Sequence, residues 1–145
     1  MMTQGKIKIL ETIRQGQVGC GETHVLDLVR KLDKSQFQVD VLSFTEGPMV
    51  DTLNALGINT YVIKTEKPFD ISIWSTVSEF VLNGGYDIIH AHGTRAASNI
   101  FRAAQKLNIP MIYTVHGWSF HKNQNYFVRR LRELSESFLT NKAKT

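Results

Sequence analysis

Hydrophobic and polar positions along the chain change period repeatedly, from short β-rich runs to stripes of helical spacing. Residues 6–13 read as a buried strand. They lead into a loop, Gly16-Gln17-Val18-Gly19-Cys20-Gly21, after which Val25, Leu28, Val29 and Leu32 recur at the i, i+3, i+4, i+7 spacing of one helix face. Residues 37–44 form the second strand. Pro48, pre-set for a first helical turn, opens a helix that places Val50, Leu53 and Leu56 on one side before Gly57 stops it. Residues 59–63 are the third strand. In residues 71–82 the positions Ile73, Trp74, Val77, Phe80 and Val81 share a helical stripe that ends at Asn83-Gly84-Gly85. Residues 87–92 are the fourth strand, 94–107 an alanine-rich helix with Ala97, Ile100, Phe101 and Ala104 turned inward, and 111–116 the fifth strand. A last helix over 126–139 is expected to bury Phe127, Leu131, Leu134 and Phe138.

Five strands alternating with five helices predict an α/β unit with a parallel sheet flanked by helices on both faces, because each parallel crossover needs a helix. The expected fold is Rossmann-like and occupies residues 1–145 as one domain. Ligands of such sheets sit at the carboxyl ends of the strands, which directs attention to the loops after Ile13, Phe44, Ile89 and Val115.

The composition is that of an ordinary globular domain, with 42% hydrophobic and 21% charged residues among 145. No stretch approaches the ~18 apolar residues needed to span a bilayer, and Lys6, Lys8 and Glu11 interrupt the first apolar run, so no signal peptide is expected. The expected location is cytoplasmic. Cys20 is the only cysteine, which removes an intrachain disulfide, a four-cysteine zinc site and a Cys-x-x-Cys redox pair. The net charge of +4 is unevenly placed: residues 1–101 hold nine Lys/Arg against eleven Asp/Glu, and residues 102–145 hold eight against two. That basic last third can attract a phosphorylated substrate, an anionic membrane or nucleic acid. No zinc-finger, RNA-recognition or helix-turn-helix signature accompanies it, so nucleic acid is not expected.

Two groups of residues could carry chemistry. The glycine-rich turn can bring backbone N–H groups and a helix N-terminus to a phosphate. Its order, Gly16, Gly19 and Gly21, is not the Gly-x-Gly-x-x-Gly of dinucleotide sites, and no acidic residue closes the second strand cleanly, which weakens NAD binding. A tight turn that binds nothing is the alternative. The second group is histidine. His90 and His92, two apart at a strand end, share a face, His116 closes the next strand and His121 follows in its loop. They could ligate a metal, could be satisfied by loop backbone, or could serve as neutral donors and acceptors for a polyhydroxylated substrate. No carboxylate is evidently placed to complete a metal site, and none is expected.

Three segments in order, Gly19-Cys20-Gly21-Glu22-Thr23-His24-Val25-Leu26-Asp27-Leu28, Asp87-Ile88-Ile89-His90-Ala91-His92-Gly93 and Ile109-Pro110-Met111-Ile112-Tyr113-Thr114-Val115-His116-Gly117, resemble the N-terminal domain of family 4 glycosyltransferases of the GT-B fold. The resemblance covers nearly the whole chain. It implies that Gly19, Cys20 and Gly21 approach the donor diphosphate and the acceptor, with Cys20 standing where the family more often has glycine. It implies that His116 lies against the transferred sugar, with His92 and His90 nearby. It further implies a retaining reaction that needs no metal or cofactor, with a nucleotide-sugar as co-substrate.

Relatives are usually more than twice as long and carry a Glu-x7-Glu pair in a second domain. No two glutamates here have that spacing. The chain is therefore expected to be the acceptor-side half of a GT-B enzyme, without the nucleotide-sugar domain and inactive by itself. Trp118, His121, Arg129 and Arg130 suggest an acceptor or membrane side, with a glycan or lipid-linked acceptor and the inner membrane face as the candidate partners. Arg132 continues the same basic run. A sugar-nucleotide epimerase of the same architecture and a non-catalytic Rossmann-like binding module are the competing readings.

Overall fold

The computed structural model describes residues 5–14 and 20–143. Ten elements alternate along the chain: β1 (Ile7–Ile13), α1 (Cys20–Lys31), β2 (Phe37–Ser43), α2 (Pro48–Ala55), β3 (Thr60–Val62), α3 (Trp74–Gly84), β4 (Ile88–His92), α4 (Gly93–Lys106), β5 (Met111–Thr114) and α5 (Tyr126–Lys142). The five strands form one parallel sheet in the order β3-β2-β1-β4-β5. The expected Rossmann-like α/β architecture is present.

Side-chain alternation sorts the two faces. Ile13 and Val41 turn toward α1 and α2, where they pack with Val25, Val29, Met49 and Leu53. Leu10, Leu42, Ile89, Ala91 and Met111 turn the other way, against Val77 and Val81 of α3, the alanine-rich side of α4 and Leu139 of α5. Small residues at Ala96, Ala97, Ala103 and Ala104 let α4 lie close to the strands. The chain reverses direction of winding between β1 and β4, so this sheet opens a crevice at the carboxyl ends of those two strands.

The junction between β4 and α4 has no loop at all. Gly93 makes it possible with φ +78, a left-handed conformation that side chains rarely adopt, so His92 ends the strand and also caps the helix. A second constraint lies at the opposite end of the sheet, where a Cβ on Gly84 would fall 2.1 Å from the Tyr86 ring. That ring is held in place because its hydroxyl donates to buried Asp40 at 3.0 Å, beside Lys8 Nζ at 3.3 Å.

Three expectations about the helices change. Cys20 and Gly21 belong to the first turn of α1 rather than to a loop, and Gly19 lies outside the described residues. α3 starts at Trp74 rather than Ile71, because the Asp70 carboxylate accepts from the N–H and hydroxyl of Ser72 and holds that stretch as a turn. The largest change is in α5. Phe127 and Leu131 are 79% and 67% exposed, and Leu134 and Phe138 are exposed too. The helix instead buries Leu139 and Glu136. Glu136 decides the orientation, since its carboxylate collects hydroxyl donors from three other parts of the fold and draws its own side of the helix inward.

Candidate functional site

Register across the crevice builds the site. Glu11 of β1 pairs with His90 of β4, and Ile13 pairs with His92. With a period of two, Glu11, His90 and His92 all point to the α1 side of the sheet. Glu11 Oε2 lies 3.0 Å from His90 Nδ1 and 2.7 Å from His92 Nε2. His92 Nδ1 lies 3.0 Å from His116 Nε2, and His90 Nε2 lies 2.8 Å from Thr114 Oγ1. Five side chains thus form one chain of hydrogen bonds: Thr114, His90, Glu11, His92, His116.

The carboxylate sets the proton positions throughout. An ionised carboxylate only accepts, so both facing nitrogens, His90 Nδ1 and His92 Nε2, carry hydrogen. Burial pushes the Glu11 carboxyl up, but the hydrogen bonds from His90 and His92 prevail and hold it below the usual carboxylate value. Burial, with the neighbouring His90 and His116, lowers the pKa of His92 against the pull of Glu11, and His92 is therefore neutral at pH 7. A neutral His92 that donates from Nε2 accepts at Nδ1. His116 must then donate from Nε2, and its remaining nitrogen, Nδ1, is left to accept. Burial of its base and the nearby His24 lower the His116 pKa as well.

The accessible end of this relay is His116, whose residue is exposed, while His92 is buried. The start of α1 closes around it. A Cβ on Gly21 would stand 3.4 Å from His116 Cδ2, and the His24 ring, one turn on, lies 5.3 Å from that of His116. Gly21 and His116 do meet, although β5 ends at Thr114 and His116 stands two residues past it rather than closing the strand as expected. His121 lies elsewhere, exposed on the loop before α5.

The expectation that no carboxylate stands beside the histidines is corrected by Glu11. Its Oε2 and one nitrogen each of His90 and His92 lie within 4.8 Å of one another, close enough to surround a cation. In the structure these atoms are joined directly by hydrogen bonds.

A cleft of about 540 Å³ includes His92 in its lining, together with Arg14, Phe69, Thr94, Arg95, Leu131 and Arg132. Phe69 has φ +51, unusual for a bulky residue. It is held there because its N–H donates to Ser98 Oγ and the next N–H donates to Asn99 Oδ1, both acceptors being buried on α4. Under the cleft, the buried Glu136 carboxylate accepts from Thr94 Oγ1 at 2.5 Å, Tyr113 Oη at 2.6 Å and Ser119 Oγ at 2.8 Å. Burial and this carboxylate raise the Tyr113 pKa. Arg129 and Arg130 do not line the cleft but pair with Glu133, and Trp118 is exposed against Phe120. Glu11, Glu136, Arg14 and Arg95 were not singled out from sequence; for Glu11 the usable signal was a lone carboxylate inside a buried parallel strand.

Comparison with known structures gives the same architecture. The chain superposes on Anabaena Alr3699/HepE in complex with UDP and glucose with a TM-score of 0.74 at 19% identity, covering 94% of this chain and 36% of that one. It matches Acinetobacter baumannii MurG with a TM-score of 0.67 at 16% identity, covering 97% of this chain and 40% of that one. UDP-GlcNAc 2-epimerase from Methanocaldococcus jannaschii is more distant, with a TM-score of 0.54 at 13% identity over 92% of this chain and 37% of that one. The chain therefore spans less than half the length of these proteins. No curated protein sequence matches it. The sequence model of Glycosyltransferase Family 4 matches residues 19–145. With the parallel sheet, its crevice and the histidine strand ends in place, the chain belongs to glycosyltransferase family 4.

Proposed function

We propose that this chain is the acceptor-side half of a retaining, metal-independent hexosyltransferase that moves a sugar from a nucleotide-sugar to a glycan or lipid-linked acceptor, as in polysaccharide biosynthesis. The observation that carries the reading is the meeting of Gly21 and His116 at the crevice, with the His116 proton positions set from behind by His92 and Glu11. A neutral imidazole with one donor and one acceptor nitrogen suits sugar hydroxyls, which both give and take hydrogen bonds. Anabaena HepE, which shares the fold, has been seen with UDP and glucose. Stabilising a departing diphosphate takes cationic or N–H groups from both walls of a two-domain cleft, so this chain alone is expected to show negligible turnover. The epimerase reading is weaker, because three of the four buried carboxylates among the described residues, Glu11, Asp40 and Glu136, are already saturated by donors.

The exposed apolar stripe of α5, with Arg129 and Arg130 beside it, supports a membrane-facing acceptor side at the inner face of a cytoplasmic membrane. Among the described residues no helix is long and apolar enough to cross a membrane. Binding to anionic vesicles that is abolished by high salt supports this part, and indifference to such vesicles contradicts it.

The sugar site is tested by titrating the chain with UDP-glucose and a set of other nucleotide-sugars while following the histidine ring signals by NMR. Perturbation centred on His116 and Gly21 by at least one of them is expected. Ring signals unmoved by every nucleotide-sugar, or robust sugar transfer by the 145-residue chain alone, would overturn the reading.

A further inference from the structure

Three guanidiniums converge on the cleft from three separate elements: Arg14 at the end of β1, Arg95 in the first turn of α4 and Arg132 on α5. Among the described residues none of the three makes an ion pair. Arg14 Nε is shut off from solvent and has no hydrogen-bond partner among the described residues, and Arg132 spends one N–H on the Ser119 carbonyl at 2.6 Å. The carboxylate beneath, Glu136, is occupied by three hydroxyls, and Glu66, which offsets part of the charge around Arg95, is exposed. Burial and the proximity of Arg14 and Arg132 depress the Arg95 pKa, the signature of like charges held together. The first turn of α4 adds to this. Gly93, Thr94 and Arg95 line the cleft, and His92, its cap residue, makes no side-chain bond to their N–H groups.

Like charges gathered at a helix N-terminus, with an orphaned buried N–H among them, form a site suited to an anion. We propose that the cleft between Arg14, Arg95 and Arg132 binds a phosphoryl group of the acceptor. Three guanidiniums and a helix terminus exceed what a single carboxylate would balance, so a phosphate dianion or diphosphate is the fitting class. The assignment to the acceptor rests on the transferase reading above, whereas the anion chemistry does not. It follows from position: His92 lines the cleft, whereas Gly21 and His116 do not. Exposed Leu131 lies at the cleft wall, so the apolar part of a lipid phosphate could continue along the α5 stripe.

The test measures binding of inorganic pyrophosphate, glycerol 3-phosphate, acetate and UDP to the chain by calorimetry at fixed ionic strength. Pyrophosphate and glycerol 3-phosphate are expected to bind well above acetate. The R95Q/R132Q variant should weaken both by about 100-fold, roughly 10-fold for each charge-assisted contact. R129Q/R130Q, which removes the same charge outside the cleft, should change them less than threefold. Circular dichroism checks the fold, and S135E, which adds a carboxylate inside the cleft, replaces the double variant if that does not fold. Equal losses in both arginine pairs would reduce the site to general basic attraction and overturn the proposal, as would no phosphate preference in the wild type. If UDP binding is lost with R95Q/R132Q, the cleft belongs to the donor and the acceptor assignment fails. If phosphate binds there while no nucleotide-sugar reaches His116, the anion site stands and the transferase reading falls.

Discussion

Glu11 and His90 stand directly opposite each other where the sheet reverses its winding, and the carboxylate Oε2 of one lies 3.0 Å from Nδ1 of the other. The same oxygen takes a second hydrogen bond from His92 at 2.7 Å. One buried oxygen thereby orients two rings, and through His92 a third, His116, at the exposed end of the relay. The acid acts through His92 and so determines what His116 can offer a ligand.

Stability should fall on mild acidification. Glu11 and His92 both have folded-state pKa values below the ordinary ones, 4.5 and 6.5, so the unfolded chain takes up more protons as pH drops. The His92 contribution is complete above about pH 6.5 and is lost as pH falls from there through its folded pKa. The Glu11 contribution is complete above about 4.5 and is lost lower still. Each group tilts the curve by at most about 1.4 kcal/mol per pH unit in its window. Urea unfolding at pH 8, 7, 6 and 5 should give a flat region and then a decline; stability rising from pH 7 to 5 would contradict the assignment.

Replacing Glu11 by Gln tests the relay. An amide oxygen in the place of Oε2 can still accept from both rings, but without the charge that strengthens those bonds, and the amide N–H groups now stand where a carboxylate oxygen stood. A loss of about 1 to 3 kcal/mol in unfolding free energy is expected, the cost of leaving a buried polar group mispaired. Added Zn²⁺ bears on the same atoms: the hydrogen-bonded arrangement predicts no rise in melting temperature at equimolar metal, whereas a rise abolished by E11Q would make Glu11, His90 and His92 a metal site.

Glu136 ties Thr94 of α4, Tyr113 of β5 and Ser119 of the following loop to α5. Glu136→Leu should cost about 3 to 5 kcal/mol, because three partly buried hydroxyls lose a charged acceptor together. The same substitution should release α5, seen as faster amide exchange over that helix than over β1 and β4. An α5 as protected as in the wild type would show that Leu139 alone anchors it.

The sheet was legible from the sequence because parallel strands are buried on both faces and read as short apolar runs. β2 and β4 differ from their expected limits by a single residue at one end. The pairing of His90 and His92 on one face also followed from their spacing. Glu11 did not, because its partners lie 79 and 81 positions away and a carboxylate in an apolar run looks only like a break in polarity. The apolar stripe of α5 has the right period for a helix, but period cannot say which side meets the domain, and a polar residue, Glu136, settled it. The cleft was hidden for a related reason: Arg14, Arg95 and Arg132 become neighbours only when three elements are packed.

The most direct measurement is a long-range ¹H–¹⁵N correlation of the histidine ring nitrogens at pH 7.5. The account predicts His92 protonated at Nε2 and bare at Nδ1, His116 protonated at Nε2, and the His116 signals moving when a nucleotide-sugar is added. His92 bare at Nε2, or a His116 whose signals stay fixed through titration with every nucleotide-sugar, would contradict it.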